Sequence, residues 1–123
     1  MKLNFITPST TIYSDEVSSI IVPGSEGDIG LLKNHTPIIC SLRSGLVLIY
    51  KEKKCFKRIF VNDGILEFSE NNAIILTEDA TDIDAIELSE IESNIIRLEE
   101  AGNLELVEIE RVKLFNKKNQ FYN

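Results

Sequence analysis

A chain of 123 residues with 43% apolar side chains makes one domain, or one domain with an appendage, and can bury a sizeable core. Its formal net charge of −7 argues against DNA or RNA as the main partner, because phosphate neutralisation needs a concentrated basic surface. No apolar run approaches the roughly 20 residues that span a bilayer, and Pro8 comes too early for the apolar segment of a secretory signal, so direct membrane insertion is not expected and the sequence reads as cytosolic.

The first eighty residues read as all β. Lys2–Ile6 alternates and stops at the turn cluster Thr7-Pro8-Ser9, and residues 10–13 are β-branched and aromatic. Residues 17–22 form a strand whose end, Ile20-Ile21-Val22, asks for burial on both faces. The most heavily punctuated stretch comes next: three of the six glycines and two of the three prolines lie between positions 23 and 37. Glycine reaches backbone angles that other residues reach only at a cost, and proline removes a donor, so this stretch is neither one helix nor one central strand. It predicts tight turns joined by very short strands, with Ile29, Leu31 and Leu32 tucked toward a core. Such a backbone is a structural corner or a contact surface.

Strands are expected at 38–42 and 46–50, broken at Ser44-Gly45, and a charged turn leads into 55–61. Asn62-Asp63-Gly64 carries the strongest hairpin signal in the chain, because Asp-Gly readily adopts the turn that matches strand twist. Residues 65–68, the turn Ser69-Glu70-Asn71-Asn72 and residues 73–77 complete the series. Many short strands with turn chemistry between them indicate a β-sandwich or barrel. Cys40 and Cys55 lie within strands and read as free, small apolar side chains.

The pattern changes near Thr81. From Asp84 to Ala101 there is no proline or glycine, and Leu88, Ile91, Ile95 and Leu98 fall at helical spacing. Thr81 or Asp82 is the expected N-cap and Gly102-Asn103 the stop. Leu104 to about Lys118 predicts a second helix, with Leu104, Val107 or Glu108, Arg111 or Val112, and Phe115 along one side. So short a connection makes the pair an antiparallel hairpin. The expected fold class is mainly β with α: an antiparallel β-sandwich over residues 1–81, then a two-helix hairpin over 82–123.

Charge is uneven along the hairpin. Residues 81–110 hold ten acidic side chains and Arg97 as the one base, whereas Arg111, Lys113, Lys117 and Lys118 follow with no acid after Glu110. The plain reading is an amphipathic hairpin packed on the sandwich with a solvated acidic face. The sharper reading is a mobile hairpin whose basic end reaches an acidic surface elsewhere.

Little here carries catalysis. The single histidine, His35, lacks the two or three further ligands that a metal site needs, and reads as structural or interfacial. The glycines from Gly24 to Gly30 lack the Lys-Ser/Thr of a P-loop, and Glu26 and Asp28 beside them would repel a phosphate. Those two carboxylates, on a turn, are expected to be solvated and not an acid/base pair. No Gly-x-Ser-x-Gly occurs. A non-catalytic interaction protein is therefore expected, with an adaptor that binds some other protein through its turn-rich stretch as one form of it. A small-molecule-binding sandwich would need convergent polar groups, and none cluster in the sequence.

Residues 23–37, Pro-Gly-Ser-Glu-Gly-Asp-Ile-Gly-Leu-Leu-Lys-Asn-His-Thr-Pro, carry a glycine-acid-glycine pattern followed by His-x-Pro; Leu42-Arg43-Ser44-Gly45 and Asp63-Gly64-Ile65-Leu66-Glu67 follow at their own spacing. With these motifs the chain resembles the epsilon subunit of the F-type ATP synthase over roughly residues 2–80, and the helical tail agrees in kind. The resemblance implies a non-catalytic rotor subunit of the central stalk, peripheral on the cytoplasmic side of a bacterial inner membrane. It implies a sandwich that sits on the proton-carrying ring of c subunits and packs on the gamma shaft, so that ring rotation reaches the catalytic head as torque. Ser25, Glu26, Gly27, Asp28 and Ile29 match the loop that faces the ring, and His35 matches the gamma side. The hairpin in such proteins folds on the sandwich or extends along the shaft and impedes ATP hydrolysis; Arg111, Lys113, Lys117 and Lys118 are then the candidate inhibitory contact, toward the catalytic alpha/beta head. Some relatives bind ATP on the folded hairpin through Ile/Leu-Asp-x-x-Arg-Ala. Here the run is Ile83-Asp84-Ala85-Ile86-Glu87-Leu88, and Glu87 in place of the arginine repels phosphate. No cofactor is expected.

Overall fold

The computed structural model describes residues 1–119. Ten strands come first: β1 Lys2–Ile6, β2 Thr11–Glu16, β3 Ser19–Gly24, β4 Gly27–Leu32, β5 Ile38–Leu42, β6 Gly45–Lys51, β7 Lys54–Val61, β8 Gly64–Ser69, β9 Asn72–Leu76 and β10 Ala80–Asp82. Two helices follow, α1 Leu88–Glu100 and α2 Leu104–Lys118. The strands run in the order β10-β7-β6-β3-β5-β8-β9-β1-β2, with β4 beside β3. A single residue pair, Gly24 with Leu42, joins β3 to β5. There the sheet folds over into two layers, β2-β1-β9-β8-β5 facing β4-β3-β6-β7-β10. The expected sandwich-plus-helices fold is what the chain adopts.

Side-chain alternation builds the core between the layers. In β8, Leu66 and Phe68 point in while Ile65 and Glu67 point out. Leu3, Phe5, Leu66, Phe68 and Ile75 of one layer meet Ile20, Val22, Val47, Ile49, Ile59 and Val61 of the other, all buried. Burying such a side chain contributes about 1.5–3 kcal/mol. A second cluster lies on the outer face of the β3-β6-β7 layer, where Leu46, Leu48, Phe60 and Ile83 are buried with Ile21, Ile86, Ile109 and Val112 packed on them. The hairpin therefore covers that layer, and Ile20-Ile21-Val22 is apolar on both faces for this reason.

Four expectations need correction. Asn62-Asp63-Gly64 does not close a hairpin. β7 pairs with β6 and β10, and β8 pairs with β5 and β9. Both edges of each strand are taken, so the positive φ values of Asp63 (60°) and Gly64 (155°) serve a tight crossing between layers. Leu32 is 67% exposed although Leu31 is fully buried, because adjacent residues of a strand point to opposite faces. Thr81 and Asp82 do not cap a helix. They extend the sheet edge, pairing with Phe60 and Ile59 of β7, and the Asp82 carboxylate accepts from the Asp84 amide at 3.0 Å in a turn. Helix α1 thus begins only at Leu88, with Glu87 at the cap position and no side-chain cap. In the helices, Ile91 and Val107 are buried, but Leu104 and Phe115 are 72% and 66% exposed, so the sheet-facing side of α2 is made by Ile109 and Val112, with Lys113 over Phe60, instead.

The helix junction behaves as its sequence directs. Gly102, at φ 72°, donates to the Glu99 carbonyl at 3.0 Å, and Asn103 to that of Leu98 at 3.0 Å, which closes α1. The Asn103 side chain then accepts from the Leu106 amide at 3.2 Å and opens α2.

Candidate partner-binding surfaces

The turn between β3 and β4 is built on a two-residue loop, Ser25-Glu26, between the paired Gly24 and Gly27. It is held from behind by one residue from the connection between β5 and β6. The Arg43 backbone amide donates to the Pro23 carbonyl at 2.9 Å, and its guanidinium donates to the Gly24 carbonyl and to Asp28 Oδ1, each at 2.5 Å. The Ser25 amide also donates to the Ser41 carbonyl at 2.9 Å. Asp28 is therefore committed to an ion pair, with both partners about half exposed. Glu26 projects from the loop into solvent, and Ile29 packs on the core. The sequence did mark this turn, through its glycines, but not the arginine that braces it.

His35 lies at the far end of the same strand. Its amide donates to the Leu32 carbonyl at 3.1 Å, its Nδ1 donates to the Thr36 carbonyl at 2.6 Å, and its ring meets Phe68 edge-on at 5.9 Å. Asn34, at φ 70°, is tied to Asn71 by two hydrogen bonds of 2.6 and 3.0 Å. Six residues of β4 separate the two features, roughly 20 Å at strand rise. Ser25-to-Ile29 and His35 thus mark opposite ends of the sandwich and do not form one site.

Between those ends lies a feature that motif reading missed. The outer face of the β1-β9-β8-β5 layer carries Ile39 (73% exposed), Ile65 (47%) and Leu76 (44%), with Ile6 and Ile74 among them, and no helix among the described residues covers it. In cross-strand register, Ile65 faces Leu76 and Leu76 faces Ile6, while Ile39 and Ile74 flank Glu67. An aliphatic face left open on a small domain, interrupted here by Glu67, is a candidate contact surface. Aliphatic residues at outward positions of four neighbouring strands were the available signal.

The basic end of the hairpin is divided. Arg111 bonds Glu108 at 2.9 Å and lies 3.9 Å from Glu99, on the surface. Lys113 is 4% exposed, paired with Glu110 at 3.1 Å, with its ammonium 5.6 Å from the centre of the Phe60 ring. Lys118 is exposed and Lys117 half-buried. Lys113 is thus inside the hairpin–sandwich interface and does not share a surface with the other three.

The segment that would carry the nucleotide motif is also occupied. Arg58 of β7, itself nearly buried, reaches Asp84 through Nε at 3.1 Å and through Nη2, and its Nη1 donates to the Asn119 carbonyl at 3.3 Å. The Arg58 hydrogen bond holds the Asp84 carboxyl below the ordinary aspartate range. Glu87 stands in solvent, three residues on.

The pattern of the family described as "ATP synthase, Delta/Epsilon chain, beta-sandwich domain" matches residues 1–83. A protein named ATP synthase epsilon chain from Pelotomaculum thermopropionicum is 35% identical over 99 residues, covering 80% of this chain and 73% of the relative. One of the same name from Campylobacter concisus is 34% identical over 104 residues, covering 85% and 78%. A chain in the cryo-EM structure of the Euglena gracilis mitochondrial ATP synthase (OSCP/F1/c-ring) superposes with a TM-score of 0.69 at 16% identity, over 94% of this chain and 76% of that one. At that identity the likeness is one of fold.

Proposed function

This chain belongs to the delta/epsilon family of ATP synthase subunits, as an epsilon chain, and from that premise we propose that it is a non-catalytic rotor subunit that clamps a gamma shaft to a membrane ring. The observation that carries the reading is the open aliphatic face of Ile39, Ile65 and Leu76, which runs between the Ser25–Asp28 turn at one end and His35 at the other. One partner, the gamma shaft, takes that face and the His35 end. The other, the loops of the c ring, takes Ser25, Glu26, Gly27, Asp28 and Ile29. Torque then passes through a body whose two contact regions are joined by a hydrogen-bonded strand, β4, and braced by Arg43.

The hairpin is the regulatory part in this reading, and residues 1–81 the stalk-binding part. Its interface with the sandwich holds an ion pair, Lys113 with Glu110, next to apolar contacts. Such an interface is held less strongly than one filled with hydrocarbon. On release, Lys113 would add its charge to those of Arg111, Lys117 and Lys118 in the basic last turns of α2, toward the alpha/beta head. Binding of a nucleotide to the docked hairpin is not part of the proposal, because Glu87 stands where an arginine would be needed and Asp84 is already engaged by Arg58. No helix among the described residues is long and apolar enough to cross a membrane. Attachment from the cytoplasmic side of a bacterial plasma membrane, through partner subunits, completes the proposal.

Affinity purification of the tagged chain from gently solubilised membranes tests it. Gamma and the ring subunit are expected to co-purify, and Ile39→Ser to reduce the gamma yield without loss of fold. Recovery of the folded chain with other proteins and neither subunit would point to an unrelated adaptor.

A further inference from the structure

At the upper corner of the open face, next to the crossing at 62–64, the sandwich carries a cleft of about 420 Å³. Its floor is aliphatic, built from Ile6 at the end of β1, Pro8 in the following turn, Ile65 at the start of β8 and Leu76 at the end of β9. Its rim carries two carboxylates, Asp63 and Glu78, both exposed. Among the described residues neither has a cation within 4 Å, and no lysine or arginine lines the cleft.

The walls are stiff. The Thr77 hydroxyl is shared between the Asp63 and Asp79 carbonyls at 2.7 and 3.0 Å, and the Thr77 amide donates to the Ile6 carbonyl at 3.1 Å. Gly64 leaves no room behind the floor: a Cβ there would lie 2.6 Å from the Leu76 carbonyl oxygen. A pre-formed pocket loses little conformational entropy on binding.

We infer that this cleft is an anchor socket for a segment of the shaft partner in which an aliphatic or aromatic side chain stands beside a lysine or arginine. The inference rests on the gamma-binding reading above and adds the chemistry of the contact. The apolar side chain fills the floor, and its basic neighbour meets Asp63 and Glu78, which no cation among the described residues neutralises. Charge complementarity excludes a phosphate or an anionic headgroup as the occupant, since two carboxylates flank the entrance. The socket is also continuous with the open face through the Ile65–Leu76 pair, so one partner spans both.

The test uses the full chain and its cognate gamma subunit in calorimetric titrations at about 50 mM and about 300 mM salt. Asp63→Asn keeps a residue that tolerates the left-handed angle at that position; combined with Glu78→Gln it is expected to weaken binding about tenfold at low salt and to flatten the salt dependence. Leu76→Ser is expected to weaken binding equally at both salt concentrations. Glu92→Gln, exposed on α1, is expected to leave the affinity unchanged. Thermal unfolding of each variant checks the fold, and Leu76→Met is expected to keep wild-type affinity. Binding by the neutralised double variant within about twofold of wild type, with the same salt slope, would overturn the socket and leave the gamma reading standing. Failure of the wild-type chain to bind gamma at all would overturn both.

Discussion

Arg58 and Asp84 form the tie between sandwich and hairpin: a nearly buried guanidinium on β7 grips a half-exposed carboxylate on the segment that leads into α1, and also holds the Asn119 carbonyl past the end of α2. One side chain therefore touches both ends of the helical unit. The two partners are not equivalent, because only the arginine is shielded from water. Asp84→Ala strands a shielded charge, whereas Arg58→Met removes the charge and keeps an apolar stem under the hairpin. Breaking a fully buried pair costs about 3–5 kcal/mol, and the exposure of Asp84 brings the expected loss for Asp84→Ala down to about 1–2 kcal/mol. Arg58→Met is expected to cost less. Thermal unfolding and limited proteolysis of the hairpin read both variants; a larger loss for Arg58→Met would contradict the asymmetry.

Acid should loosen the same tie. The Asp84 carboxyl titrates below its ordinary value of 3.8 in the folded chain, through its hydrogen bond from Arg58. A carboxyl depressed on folding adds stability above its unfolded value, and that stability is lost as pH falls through the folded value. Asp15, hydrogen-bonded by Lys51, shifts in the same direction. Melting temperature is thus expected to stay level from neutral pH into the carboxylate range and to fall below the ordinary aspartate value of 3.8. Asp84→Asn should show a shallower acid drop than the wild type, and an equal drop would remove this pair as its cause.

Truncation probes the division of labour. Every buried member of the inter-layer core lies between Leu3 and Ile75. A chain ending after Ile83 keeps that core and β10, and uncovers Leu46, Leu48 and Phe60 on the outer face. Lost burial is at most about 1.5–3 kcal/mol for each. A cooperative unfolding transition at lower temperature is expected, together with a rise in membrane ATP hydrolysis if the hairpin acts as a brake. A truncated chain without a cooperative transition would show that the hairpin completes the fold.

Local chemistry was legible in the sequence, and long-range pairing was not. Alternation and turn residues placed the strands within a few residues, because each is governed by near neighbours. The Asp63-Gly64 turn was misread as a hairpin, since its backbone angles suit a reversal while the edges of β7 and β8 had already been filled by other strands. Asp82 was misread as a helix cap, because a free edge on β7 outcompeted helix formation there. At the candidate surfaces the glycine-rich turn and His35 stood out. Arg43 behind the turn, Arg58 on Asp84 and the burial of Lys113 depend on contacts between residues far apart in sequence.

The Arg43 brace separates folding from docking at the turn. Asp28 and Arg43 are each 47% exposed, so their ion pair contributes at most about 1 kcal/mol. Asp28→Lys is expected to leave the sandwich folded, with a small drop in melting temperature, and to weaken coupling between proton flow and ATP synthesis. Arg43→Met, which also removes the bond to the Gly24 carbonyl, is expected to cost more stability than Asp28→Asn. Unfolding by Asp28→Lys, or unchanged coupling in membrane vesicles, would contradict a ring contact there.

The most direct measurement is ATP-driven proton pumping in membrane vesicles stripped of this chain and then resupplied with it. Wild-type chain is expected to restore pumping together with gamma retention on the membrane, whereas a variant carrying both Asp28→Lys and Ile39→Ser, folded by thermal unfolding, is expected to restore neither. Equal pumping by stripped and resupplied vesicles would contradict a role for this chain in joining shaft to ring.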